Sequence, residues 1–423
     1  MADKIMEMLF LDPRRWESAI SKGKNKKINS EELSFLCDPD ARVNLAAKII
    51  DGCYEISPPR IQKIPKDKPG EFREVYINEN IDRIYLSMMN DLLMGICADM
   101  IHPSCKSYQS GIGCGKVVRE AIEYIDKCKS VEIGYKSDLS KYFDSVPRDA
   151  IDKMLDAVEE RYGKSTAIDV VRRYYHQDWC FDSDGNLISR YQSLKQGCAV
   201  ASFLADALLY DMDERMAQFA KRNGGFYCRY SDDCLYIGRN YKKAMEIMEQ
   251  ELAKFDLKLN PKKVEWLRKD RWFKFLGFNL KGNKITLSKS RVKNFQKEIE
   301  KRTIKLRTQD ITSIVNRVNA YLYKGKYSWA TSVLPIINVE EDITELNCFV
   351  MDCIRAAVTG KKKVGGLGSV VTGESTIRRG TGQNVKANRE KTPHDIPGYI
   401  TLKCAKNALL TDRAAYETIV RAL

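Results

Sequence analysis

The chain has 423 residues, 43% of them hydrophobic and 30% charged, which excludes wholesale disorder and suits roughly two or three domains. A formal charge of +14 and a pI of about 9.0 point to a polyanionic partner, most simply a nucleic acid, rather than to a merely basic enzyme. Thirteen cysteines without a Cys-x-x-Cys, and only three histidines, exclude zinc-finger spacing and a disulfide framework and fit a reducing cytosol.

Residues 1 to about 55 read as helical. The opening MADKIMEMLFLDPRRW carries acids and a proline where a signal peptide needs a clean apolar core, and no apolar run approaches the ~18 residues of a membrane span. NSEELSFL has a capping signal at Ser30, ARVNLAAKII is amphipathic, and Pro58-Pro59 stops the helix. PPRIQKIPKDKPGEFREVYI then gives two strand-like runs around a Pro-Gly turn, with Lys63, Lys66, Lys68 and Arg73 clustered there. Such a hairpin is either a solvated edge or a phosphate clamp. A helical pattern from Asp82 to about Lys129 is broken by SCKSYQSGIGCGK, whose glycines near Lys116 lack the Walker spacing.

Residues 131–137 read as a strand with Asp138 near its end, followed by a helix. In CFDSDGNLISRYQSLKQGCAVASFLADALLYDMD, Asp184-Gly185 marks a hairpin turn and Gln196-Gly197 a break before a long apolar helix. GFYCRYSDDCLYIG follows, two short strands with Asp232 and Asp233 at the turn. Ser-Asp-Asp is good turn chemistry, and a solvated turn is the bland reading. Two adjacent acids in a half-buried hairpin nevertheless repel unless a cation joins them, and Mg²⁺ prefers carboxylate oxygens. Asp138 alone would be an ordinary cap. With the pair at the hairpin it makes three acids at strand ends, the requirement for two-metal phosphoryl transfer with ions roughly 4 Å apart.

YKKAMEIMEQELAKFDLKLN reads as an amphipathic helix ended by Asn260-Pro261, and FKFLGFNLKGNKITL as a hairpin turning at Gly282-Asn283. Residues from about 288 to 358 are helical again. Residues 360–393 hold eight Lys or Arg against two Glu and are glycine-rich, which suits a basic segment that meets nucleic acid, or a plain linker. The remaining stretch returns to helix, and no internal repeat is evident.

The pieces, in order, resemble reverse transcriptases, the bacterial ones above all. IPKDKPGEFREV looks like the fingers segment, SDLSKYFD like the first catalytic motif, and LKQGCAVASFLADALLYDMD like the Gln-Gly motif. RYSDDCLYI is similar to the catalytic Tyr-x-Asp-Asp, LKLNPKKVEW to the Asn-x-x-Lys segment, and FLGF to the primer grip. The resemblance implies an α+β right-hand polymerase fold with a basic C-terminal extension. Its parts are N-terminal helices and fingers over 1–130, a palm over 131–285 with 147–190 returning to the fingers, a helical thumb over 286–358, and a basic loop with a C-terminal helical segment over 359–423.

The resemblance also implies roles. Asp138, Asp232 and Asp233 would be catalytic and hold two Mg²⁺ ions, for which Mn²⁺ can substitute, with the carbonyl of Leu139 as a backbone ligand. Asp233 alternates with Asp232 along a strand, so its ligation would be partial. Lys66 and Arg73 would neutralise the outer phosphates of a dNTP, backbone amides near Lys141 and Tyr142 would meet the triphosphate, and Lys263 would assist pyrophosphate departure. Phe143 would lie under the sugar and reject a 2′-hydroxyl, core packing being its other reading. Gln196 and Gly197 would line the template and incoming base pair. Tyr230, Ser231, Phe275, Leu276, Gly277 and Phe278 would meet primer and template, and Lys361, Lys362, Lys363, Arg378 and Arg379 a nucleic-acid backbone.

Nothing resembles a ribonuclease H acidic cluster, a zinc-bearing endonuclease or a maturase extension. That favours the defence-associated, unknown-group enzymes, the single-gene type 2 antiphage system among them, which copy a structured non-coding RNA into cDNA in the cytoplasm. Retron enzymes are a rival: Val371-Thr372-Gly373 resembles a retron motif, yet the Asn-Ala-x-x-His signature is missing. Template-independent, protein-primed abortive-infection polymerases are another. A catalytically silent RNA-binding scaffold is the alternative of a different class. The sequence leaves the oligomeric state open.

Overall fold

The computed structural model describes residues 2–26, 28–66, 70–306, 310–325, 328–359, 396–411, 414 and 416–417. In chain order the strands are β1 (Arg60–Pro65), β2 (Phe72–Ile77), β3 (Glu132–Asp138), β4 (Trp179–Phe181), β5 (Leu187–Ser189), β6 (Phe226–Tyr230), β7 (Asp233–Ile237), β8 (Glu265–Arg268), β9 (Phe273–Phe275), β10 (Phe278–Lys281) and β11 (Lys284–Leu287). They form sheets of order β2-β1-β4-β5, β6-β7-β3-β8 and β11-β10-β9. The chain divides into one unit of Met1–Gly111 with Tyr135–Glu265 and a second of Ile112–Gly134 with Trp266–Leu423.

The first unit opens with the helices Lys4–Phe10, Pro13–Lys26, Ser30–Cys37 and Pro39–Ile50. Asn29 and Glu32 close a capping box at the third, and Pro39 sits where the fourth needs no N–H donor. The cap is therefore Asn29, one residue before the Ser30 expected from sequence. β1 and β2 pair antiparallel from Arg60↔Ile77 to Pro65↔Phe72, the expected hairpin. Helix Asn80–Ile96 buries Leu86, Met89, Leu92 and Leu93 in the core, which also takes in Tyr135, Tyr142, Phe203 and Leu204. Burying side chains of this kind stabilises by about 1.5–3 kcal/mol each.

Two helices differ from the sequence reading. The apolar helix after Gln196-Gly197 is interrupted: Ala201–Ala207 and Tyr210–Arg222 are separate helices. The amphipathic helix starting at Tyr241 ends at Ala253, well short of Asn260. Residues 258–260 are drawn off to pair beside Asp138: Ser140 N–H donates to the Lys258 carbonyl at 2.8 Å and Asn260 N–H to the Asp138 carbonyl at 2.7 Å. Tertiary pairing outweighs helix propensity there.

The second unit carries helix Cys114–Lys127 and the helices Lys289–Arg302, Ile311–Tyr323, Trp329–Val333, Glu340–Thr359 and Leu402–Thr411. Gly115 leaves room for Ile336, and Phe295 packs on Trp329 with ring centroids 4.5 Å apart. No described helix is long and apolar enough to cross a membrane.

Candidate active site

Asp138 ends β3, and β7 opens at Asp233 after a two-residue turn, Ser231-Asp232. β7 lies beside β3 in the sheet, and Leu139 N–H donates to the Asp232 carbonyl at 3.0 Å. The acids thus converge because the strand end and the hairpin turn are bonded to each other. Ser231 takes φ +59, as two-residue hairpin loops require.

The electrostatics follow. Burial raises Asp232 above the usual carboxylate range, and the charge of Asp138 raises it further, while Lys263 and Arg73 pull the other way. Burial, then the charges of Asp232 and Asp138, push Asp233 up to about 6. Lys263 Nζ donates to Asp138 Oδ1 at 2.8 Å. All three carboxylates therefore share one field, with cations from two further segments.

Among the described residues no three His, Cys, Asp or Glu side chains stand in ready coordination geometry. The donor set nonetheless fits a hard divalent cation: carboxylate oxygens only, mutually repelling, with Asp138 already drawing an ammonium group. Leu139 is buried and its N–H is engaged by Asp232.

Of the predicted dNTP-binding residues, Lys263 meets Asp138 directly and Lys141, Tyr142 and Phe143 follow the end of β3. Lys66 N–H closes the β1-β2 hairpin on the Glu71 carbonyl at 2.9 Å. Lys66 and Lys141 both act on Asp144, whose carboxyl is raised chiefly by burial. Lys141 has φ +46. The Tyr142 ring is buried, with its hydroxyl donating to the Ala205 carbonyl at 2.6 Å, so only its backbone is left to meet a ligand. Phe143 is half-buried and lies edge-on to Tyr142. The Gln196 carbonyl accepts from Tyr76 N–H at 2.7 Å, and Gly197, at φ +111, would bring a Cβ within 2.7 Å of the Tyr76 carbonyl.

Tyr230 pairs with Asp233 across the hairpin. Phe275, Leu276, Gly277 and Phe278 lie in the second unit. The rings of Phe275 and Phe278 are buried, so the backbone of the Leu276-Gly277 turn, at φ +47 and +80, is the part they present. Arg291 stacks over Phe278 at 4.2 Å. Lys361, Lys362, Lys363, Arg378 and Arg379 lie outside the described residues.

The sequence reading missed what lies beneath the turn. Arg229, fully buried, donates to both carboxylate oxygens of Asp213, with Nη2 to Oδ2 at 2.6 Å. Asp206 lies beside it, pushed up to about 6 by burial. A signal was present: Asp206 stands in the apolar stretch Phe203–Leu209, and Arg229 sits in an apolar strand. Tyr108, in the loop after helix Asn80–Ile96, lies beside Ser231, and burial raises its hydroxyl above the usual range.

A family model described as reverse transcriptase (RNA-dependent DNA polymerase) matches residues 64–280. No curated protein matches the sequence. Among solved structures, apo telomerase from Candida tropicalis is similar at 13% identity over 72% of this chain and 58% of that one, with a TM-score of 0.45. The same enzyme truncated from its C-terminal domain is similar at 17% identity over 55% and 56%, TM-score 0.40. Telomerase from Candida albicans in complex with a TWJ fragment of telomeric RNA is similar at 14% over 74% and 56%, TM-score 0.44. The chain thus spans little more than half the length of these telomerase chains. The family match runs from within β1 to within β10, takes in all three carboxylates and covers more than half of the residues: the chain belongs to the reverse transcriptase (RNA-dependent DNA polymerase) family.

Proposed function

We propose that the chain copies RNA into DNA by nucleotidyl transfer, in a right-hand arrangement of fingers, palm and thumb. The observation that carries this reading is the convergence of Asp138, Asp232 and Asp233 on one field, with Lys263 and Arg73 acting on it. Asp138, Asp232 and Asp233 would hold two Mg²⁺ ions, with Mn²⁺ as a substitute. Bound there, the ions supply charge stabilisation to the attacking 3′-hydroxyl and the departing pyrophosphate.

The chain's own groups do the rest. Lys66 and Arg73 neutralise the outer phosphates of the dNTP, and the backbone at Lys141 and Tyr142 orients them. Phe143 excludes a 2′-hydroxyl by size. Gln196 and Gly197 flank the templating pair, held against β2 by the Tyr76 bond. Lys263 leaves Asp138 to meet the leaving phosphates. A scaffold that only bound RNA would have no use for buried acids that raise one another's pKa.

The basic, glycine-rich sequence of residues 360–393 supports a defence-associated enzyme copying a dedicated structured RNA. The test is to sequence the RNA and DNA that copurify with the chain. One structured RNA with complementary DNA is the expected result. Random polymers would favour a template-independent enzyme, and protein free of nucleic acid would contradict the reading.

A further inference from the structure

We propose that Ser107, Asp206 and Arg229 are positioning residues for nucleotidyl transfer, fixing the left-handed turn that presents Asp232; this rests on the polymerase reading above. The hairpin ladder ends at Tyr230↔Asp233, so the N–H of Ser231 has no partner within the two strands. It donates instead to Ser107 Oγ at 2.9 Å, while the Ser231 carbonyl accepts from Arg229 Nη1 at 3.3 Å. Both polar groups of the strained residue are thus held by side chains from outside the turn.

The polarity of this arrangement is set from beneath. A serine hydroxyl has one proton, and Ser107 donates its own to Asp206 Oδ1 at 2.7 Å, which turns a lone pair toward Ser231. Asp213 meets the Arg229 guanidinium with both oxygens, and Asp206 Oδ1 stands farther off, 3.7 Å from Nη1. Asp206 Oδ2 has no hydrogen-bond partner, so the carboxylate acts through Oδ1, which orients Ser107 and faces Arg229. Arg229 Nη2 also donates to the Asp206 carbonyl at 2.8 Å, tying helix Ala201–Ala207 to the turn.

Ser107 is itself held against β6. Arg229 N–H donates to the Ser104 carbonyl at 2.9 Å, and Lys106 N–H to the Arg229 carbonyl at 2.8 Å, so the loop runs as an added edge beside β6. Leu139 holds the Asp232 carbonyl on the other flank. With both flanks fixed, the backbone that carries the Asp232 carboxylate is held in place, and a displacement of ~1 Å at such a site can cost ~100-fold in rate.

The experiment compares wild type, Ser107→Ala and Ser107→Thr in labelled dNTP incorporation on a primed RNA, with Mn²⁺ titrated separately into the free protein by electron paramagnetic resonance. In Ser107→Ala, kcat should fall roughly 10–100-fold with the dNTP KM within about twofold. Mn²⁺ binding should weaken several-fold, and Ser107→Thr should restore both. A folded Ser107→Ala with wild-type kcat and Mn²⁺ affinity would overturn the proposal. So would a Ser107→Thr as impaired as the alanine variant. If wild type itself incorporates nothing, the polymerase reading fails, and the Mn²⁺ comparison still decides whether Ser107 positions the carboxylates.

Discussion

Asp233 is an acid that the folded chain holds against its preference. Its pKa rises to about 6, from burial first and the charges of Asp232 and Asp138 second. A carboxylate raised in the folded state costs stability once ionised. That cost is absent below the unfolded value near 3.8, grows as pH rises, and is complete above about 6. In metal-free protein, Asp233→Asn should therefore raise the melting temperature at pH 8, by on the order of 2 kcal/mol of stability, with the gain gone by pH ~4. Thermal melts across that range check it. Asp213→Ala should do the opposite and cost about 3–5 kcal/mol, because it strands the buried Arg229; urea unfolding reads this directly. Phe143→Ala should raise ribonucleotide use at least ~10-fold, the scale on which pocket size discriminates. Unchanged discrimination in single-nucleotide incorporation would leave Phe143 as core packing.

At the scale of elements, the hairpins were legible and the helix ends were not. Period-2 apolar runs and turn residues located β1-β2, β6-β7 and β10-β11, since each pairing is local. The end of helix Tyr241–Ala253 was hidden because residues 258–260 answer to Asp138 and Ser140, far away in sequence. The Arg229 network was hidden for the same reason: its acids lie on helices and its serine in a loop, and only the fold brings them together. Gly197 shows the reverse case, a break visible in sequence whose reason is structural. At φ +111 and pressed against Tyr76, it has no space for a methyl group. Gly197→Ala should cost about 1–3 kcal/mol and loosen Gln196 from β2, seen as a lower unfolding midpoint and a higher dNTP KM.

For the molecule as a whole, charge is the property that composition announced and the helices distribute. Lys289, Lys293, Lys297 and Lys301 recur every four residues along helix Lys289–Arg302, and all four are exposed. Spacing of that kind forms one basic stripe. Replacing the four by Gln should weaken RNA binding and lower the slope of log affinity against log salt by up to roughly 3. An unchanged slope would remove the stripe from the interface. The most direct measurement of the central claim is Mg²⁺-dependent incorporation of labelled dNTP by wild type and by a folded Asp232→Ala, Asp233→Ala double variant. The carboxylate account predicts activity in wild type and a loss of at least ~1,000-fold in the variant. Equal incorporation by the two would contradict it.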